Sequence, residues 1–228
     1  MASRYFSPKC FEFFEELSRD NNREWFLNNK SRYENEVREP MLAFIADFAP
    51  RLRKISANFV ADPRPSGGSM MRIYRNLRFS RDKTPYKTNA AAAFGHRGAG
   101  HFDAPSFYLS LSAAEGFAGV GMWHPDADGL RKVRDAIVAR PQNWKKVFND
   151  RKFRARFETL GEVLSRPPRG YDPAHPLIED LKRKSFVGGM ELTRREVCSE
   201  KFLDQFTSAC ADAAPFMKFL TEALGLQW

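Results

Sequence analysis

At 228 residues, 43% of them apolar and 14% aromatic, the chain can bury a sizeable core, which excludes global disorder. Its net charge of +9, from 37 Lys and Arg against 28 Asp and Glu, points to an anionic partner or to a charged solubilising surface. No apolar run approaches the roughly 20 residues of a membrane span, and the start, MASRYFSPKCFEFF, lacks the apolar core of a signal peptide. The expectation is a soluble, cytoplasmic protein with no membrane partner, folded as one domain over 1–228.

The first 55 residues read as helical. Ser7-Pro8 is a start signal, a cap followed by Pro at the first helical position. Asn21 with Glu24 three residues on reads as a second cap. Tyr33, Val37, Met41, Phe44, Phe48, Leu52 and Ile55 recur every three or four residues as one apolar face, which Pro40 should restart or kink.

The middle of the chain reads as strands. Met70 to Leu77 is strand-like, and Ala90 to Phe94 is a further candidate. Ser106 to Ser112 alternates strictly, with Phe107, Leu109 and Leu111 on one face and Ser106, Tyr108, Ser110 and Ser112 on the other. Ala113 to Gly116 turns and Phe117 to Trp123 returns, a hairpin. The Gly-rich stretch GHRGAGH (Gly95 to His101) reads as a turn between strands.

Helices resume at Pro125, with Leu130, Val133 and Ile137 on one face and a new segment at Pro141. Ser165 to Pro176 carries four prolines and a glycine and reads as an ordered loop or linker. One or two helical turns follow at Leu177 to Arg183, then a strand over Lys184 to Leu192 interrupted by Gly188-Gly189. Ser199 caps a helix carrying Phe202, Phe206, Cys210 and Ala213; Pro215 breaks it, and Phe216 to Leu224 runs to a stop at Gly225. Cys10, Cys198 and Cys210 each sit in an apolar pattern and read as buried reduced thiols; no CxxC pair supports a zinc ribbon. Helices, then strands, then helices predict an α+β fold: an antiparallel sheet of about four to six strands packed by N-terminal and C-terminal helices.

The densest chemistry lies in RIYRNLRFSRDKTPYK, Arg72 to Lys87, with six cations (Arg72, Arg75, Arg78, Arg81, Lys83, Lys87) against Asp82. On a strand, Arg72, Tyr74, Asn76 and Arg78 would share one face, and Arg75 would need a bulge or a buried partner. Beyond Phe79 the chain reads as a loop presenting Lys83, Thr84 and Lys87. Such a block is a cradle for phosphate or carboxylate, or it is neutralised by the Glu-rich first helices (Glu12, Glu15, Glu16, Glu24, Glu34). Arg169, Tyr171, His175 and Lys184 form a second polar group. It either closes over a ligand, with His175 as a weak candidate for general acid or base, or ties its loop down. Arg131 to Arg156 adds ten cations against Asp135 and Asp150.

His96, His101, Asp103 and His124 match no metal signature, and no metal or cofactor is expected; GHRGAGH lacks the GK[ST] of a phosphate loop. There is no GxSxG, and no Cys stands near a His in sequence. Trp123-His124 at a strand end can line a pocket mouth.

Five blocks together resemble a known family: NNREWFLNNKSRYENEVREP (Asn21 to Pro40), RIYRNLRFSRDKTPYKTN (Arg72 to Asn89), PSFYLSLS (Pro105 to Ser112), GMWHP (Gly121 to Pro125) and PPRGYDPAHPLIEDLKRKSF (Pro167 to Phe186). They span nearly the whole chain and resemble the uncharacterised domain of unknown function 2461 of bacteria and fungi. The resemblance implies a fold and a domain extent but no activity. Relatives often have Asp at Asn76 and a bulkier polar residue such as His at Ser110, so an acid–base role there does not carry over.

Three readings remain open. The best supported is a small anionic (phosphorylated or carboxylated) ligand, enzyme or not, held by Arg72, Arg75, Arg78, Lys83, Thr84, Lys87 and Tyr108 with Arg169, Tyr171 and Lys184. The alternatives are a nucleic-acid-binding protein using the patches 72–87 and 131–156, without a supporting motif, and a non-catalytic protein-interaction domain. The oligomeric state is not legible.

Overall fold

A computed structural model describes residues 4–78, 80–100 and 104–228. Four helical segments open the chain: α1 (Pro8–Arg19), α2 (Arg23–Asn28), α3 (Lys30–Arg32) and α4 (Glu39–Ile55). Asn22, not Asn21, caps α2 by accepting from the Trp25 N–H at 2.9 Å. Between α3 and α4 the chain widens into a π-helical segment, Tyr33–Arg38, and the Glu39 N–H reaches back to the Glu34 carbonyl. Pro40 follows at once. It has no N–H to give and its ring crowds the carbonyl four residues back, which the wide turn relieves.

Strands β1 (Asn89–Gly95), β2 (Ser106–Ser112) and β3 (Gly116–Met122) form a meander. Helices α5 (Ala127–Ala139), α6 (Pro141–Phe148) and α7 (Arg151–Arg156) lead to a short β4 (Glu158–Leu160). Then come α8 (Ile178–Leu181), β5 (Phe186–Leu192), α9 (Arg194–Val197), α10 (Phe202–Asp212) and α11 (Ala214–Ala223). All pairings are antiparallel, in the order β1-β2-β3-β5-β4. The α+β expectation, with helices from both ends of the chain, therefore holds.

Register assigns the two faces. Phe94 opposes Phe107, Leu109 opposes Ala118, and Met122 opposes Phe186, all on one side. That side carries the helices: Phe94 meets Phe48 of α4 at 4.8 Å, and Trp144 of α6 meets Phe186 at 5.7 Å. Alternate residues, Ala93, Tyr108, Gly119 and Gly189 in one cross-strand row, face away from this core. Cys10 and Cys210 are buried and Cys198 is half-buried; all three are free thiols. Among the described residues no helix is long and apolar enough to cross a membrane.

Several local expectations are corrected. Met70 to Leu77 forms only single bridges, Met70 to Ala92 and Tyr74 to Tyr86, and is no strand, although exposure still alternates along it, with Arg72, Tyr74 and Asn76 exposed around a buried Ile73. Lys201, not Ser199, stands at the α10 N-cap, with the Ser199 hydroxyl accepting the Lys201 N–H. Strand β4 and the Thr193–Glu196 capping box of α9 had not been expected.

Candidate functional site

The face of the sheet away from the helices holds a cavity of about 440 Å3, and its lining is mostly apolar. Met71 and Ala93 stand at the β1 end. Ser106, Tyr108, Phe117, Gly119 and Gly121 come from β2 and β3, and Val187, Leu160 and Trp123 close the far end. Glycines make the space. A Cβ on Gly189 would lie 2.3 Å from Leu160 Cδ1 and 2.9 Å from Phe117 Cε2, and one on Gly119 would lie 3.1 Å from Phe117 Cε1. The Phe117 and Leu160 side chains therefore rest directly on the sheet, occupying the volume that side chains at 119 and 189 would fill. Gly188 does the same on the opposite face, where a Cβ would meet Phe153 at 2.8 Å.

Polar groups are sparse here: the Ser106 and Tyr108 hydroxyls and the Trp123 indole N–H. Trp123 is 59% exposed, unusual for the largest apolar side chain. Ser110, one row from Tyr108, accepts from the Asn89 amide at 2.8 Å.

The basic block borders the β1 end. The Met71 N–H donates to the Ala91 carbonyl and the Ala93 N–H to the Ser69 carbonyl, so the chain entering the block runs along β1. The block then folds back on itself, with the Arg75 N–H on Pro85 O and the Lys87 N–H on Ile73 O. Asn21 fastens it to the helices: its amide donates to Tyr86 O at 2.9 Å and accepts from Tyr86 N at 3.2 Å, while Phe26 stacks on Tyr86 at 4.0 Å.

Within the block the cations divide. The Arg75 guanidinium bonds Asp82 and the Thr84 hydroxyl, and Lys83 Nζ donates to Leu77 O at 3.1 Å. Arg75, Lys83 and Thr84 thus close the loop. The Thr84 N–H, then Arg75 and the Thr84 hydroxyl, hold the Asp82 carboxyl down to about 2. A carboxyl depressed in this way contributes while it is ionised. The clasp is therefore complete above the ordinary carboxylate range and is lost only as pH falls toward about 2. Asp82→Asn is expected to open the loop, seen as faster tryptic cleavage after Arg78 and Arg81 at neutral pH. An unchanged cleavage rate would mean the loop closes without it.

Arg72 and Lys87 differ from these. Among the described residues neither side chain forms an ion pair or hydrogen bond, and the two lie within electrostatic reach as like charges. Lys87 is half-buried, and desolvation, then the Arg72 charge, push its ammonium pKa down. Arg78 is exposed, and the Asn76 side chain accepts its backbone N–H at 3.3 Å.

The second predicted group lies at the other end of the sheet. The Tyr171 hydroxyl donates to Asp135 of α5 at 2.8 Å; burial, then Asp135, push it up to about 12. His175 Nδ1 accepts from the Leu177 N–H at 3.1 Å, just ahead of α8. Lys184 pairs with Glu162 at 2.7 Å, and Arg169 is exposed. Three to four strand spacings, about 15–19 Å, separate these groups from the basic block, so the two constellations do not meet. Of the predicted site residues, Tyr108 alone lines the cavity.

The cations of 131–156 lie on and between α5, α6 and α7, and many are paired: Arg131 and Lys132 with Asp128, Arg140 with Glu222 of α11, Arg156 with Asp212 of α10. His96 accepts the Gly98 N–H at Nδ1, 3.0 Å, and bonds Gln227 O through Nε2, 2.8 Å. His101 and Asp103 lie outside the described residues. Among the described residues no three His, Cys, Asp or Glu gather as a metal site.

A comparison with curated proteins found no match. A family model, described as conserved hypothetical protein (DUF2461), matches residues 9–219, in accord with the five sequence blocks. With nearly its whole length matched, the chain belongs to the DUF2461 family.

Proposed function

We propose that the protein binds a small molecule with an apolar, ring-sized body and an anionic group, the body in the open-face cavity and the anion toward Arg72 and Lys87. The observation that carries this is the cavity itself, about 440 Å3, within the range of small-molecule sites and lined mainly by apolar groups with a few hydroxyls. Two further features support it. Met71, in the cavity wall, is the chain neighbour of Arg72. Arg72 and Lys87 are like charges brought together with no carboxylate paired to either among the described residues, an arrangement that an anion relieves.

Two dyes separate the two halves of the reading. The anionic dye 8-anilinonaphthalene-1-sulfonate and the neutral dye N-phenyl-1-naphthylamine are expected to bind saturably and to compete with each other. The double substitution Arg72→Gln, Lys87→Gln is expected to weaken the anionic dye about tenfold or more and to leave the neutral one within about twofold. Unchanged affinity of the variant for the anionic dye would remove the cations from the site. No saturable binding of either would remove the cavity. Labelled oligonucleotides that bind at near-physiological salt, with a steep salt slope, would favour the nucleic-acid reading instead.

A further inference from the structure

The far end of the cavity carries a second unusual feature. His124 has φ of 47°, the sole described non-glycine residue with positive φ. The position is doubly disfavoured, because a residue before proline is confined to extended backbone and Pro125 follows. The surrounding structure holds the conformation. The His124 N–H donates at 3.0 Å to the Ser185 hydroxyl, and Ser185 is 1% exposed. Gly161, with φ of 105°, brings the chain after β4 against the same serine: a Cβ there would lie 2.9 Å from Ser185 Cβ. Gly121, with φ of 118°, leads β3 into the corner. His124, strained, and Gly161, with a positive φ that suits glycine, thus adjoin one buried hydroxyl, and the corner they build is the rim of the cavity. Strain of this kind persists only where the fold over-determines it, and it concentrates at working sites.

The corner places an imidazole at the cavity mouth. The His124 ring stands edge-on to the Trp123 indole, centroids 4.7 Å apart, and Trp123 lines the cavity. Glu162, beyond β4, lies within electrostatic reach of His124 and is paired with Lys184 at 2.7 Å. From the start of α5, Asp126 is engaged by the Gly129 N–H at 2.7 Å. The exposed imidazole therefore sits beside an apolar cavity with a carboxylate–ammonium pair near it, within reach of a ligand that fills the cavity.

We infer that His124 is the acid–base group of this cavity, acting on the end of the ligand opposite the anion-binding cations; this rests on the cavity reading. Hydrolysis of an aromatic ester is a chemistry it can support unaided. With p-nitrophenyl acetate the ring enters the cavity, a water attacks the ester carbonyl, and His124 takes the proton that the water loses. The tetrahedral adduct expels p-nitrophenolate and leaves acetic acid; acetic acid and the imidazolium each lose a proton to solvent.

The test is the rate of p-nitrophenolate release by the full chain, beside His124→Asn and His175→Asn. Saturable turnover is expected, competitively inhibited by 8-anilinonaphthalene-1-sulfonate. His124→Asn should lower it at least tenfold while still binding the dye; His175→Asn should not change it. If His124→Asn turns over like the wild type while the dye still inhibits, the assignment of His124 is overturned and the cavity stands. Loss of dye binding by the wild type would overturn both.

Discussion

Trp144→Ala is expected to cost about 3–5 kcal/mol, the range for deleting a large buried aromatic. Trp144 is fully buried and sits in a cluster of rings: Phe148 stacked at 4.7 Å, Phe219 at 5.2 Å, Phe186 at 5.7 Å and Phe216 at 6.1 Å. Its indole N–H donates to Asp180 at 3.0 Å, which ties α6 to α8. Removal leaves a cavity walled by four elements, none of which can close it without losing its own packing, and it strips Asp180 of a donor. For a chain of this size the loss corresponds to a fall in melting temperature of about 6–20 °C, read by circular dichroism. Trp144→Phe, which keeps most of the volume, should recover more than half of it. A fall of only a degree or two for Trp144→Ala would mean that the neighbouring rings repack.

Gly121→Ala adds one methyl group and is expected to cost more than about 3 kcal/mol. The Cβ would stand 2.0 Å from the Phe186 carbonyl oxygen, which is backbone and cannot swing aside, and φ of 118° is strained for any L side chain. Relief requires parting Gly121 from Val187, a cross-strand pair of β3 and β5 at the cavity floor. Gly170→Ala isolates the conformational part, because φ there is 90° and nothing lies within 4 Å of the added methyl. It should cost about 1–2 kcal/mol. Urea midpoints of the two variants compare them directly; equal losses would show that the carbonyl clash is absorbed by small shifts of β5.

The hairpin of β2 and β3 was legible because its signal is local: Phe107, Leu109 and Leu111 alternate with hydroxyl residues over one strand length. The long helical face from Tyr33 to Ile55 was legible for the same reason. Met70 to Leu77 misled because apolar residues alternate with cations there, whereas the structure spends the segment's backbone partly on β1 and partly on its own return through Pro85 and Lys87. Three residues of β4 offer no period to read. Gly188-Gly189 looked like an interruption of a strand; the register shows each glycine admitting a ring or branched side chain to a different face. The cavity was hidden for a related reason. It depends on Gly119 standing opposite Gly189, a pairing 70 residues apart in the chain that no window captures. The cationic block was visible, but its division into loop-closing Arg75, Lys83 and Thr84 and, among the described residues, unpaired Arg72 and Lys87 depends on where the loop folds back.

The two outer strands of the sheet have a consequence for how copies of the chain behave at high concentration. An uncovered edge is a template on which another molecule can add a strand. On the β1 side the Val60 N–H reaches Gly95 O, Met71 reaches Ala91 O, and Ala93 reaches Ser69 O, so the edge is already engaged by its own chain. On the other side β4 is three residues long, starts with a glutamate and runs into Gly161, too short and too charged to seed a ladder. Both ends of the sheet are thus blunted from within. Resistance to fibrillar aggregation is built into the connections of the fold, leaving the exposed sheet face between them free to stay apolar.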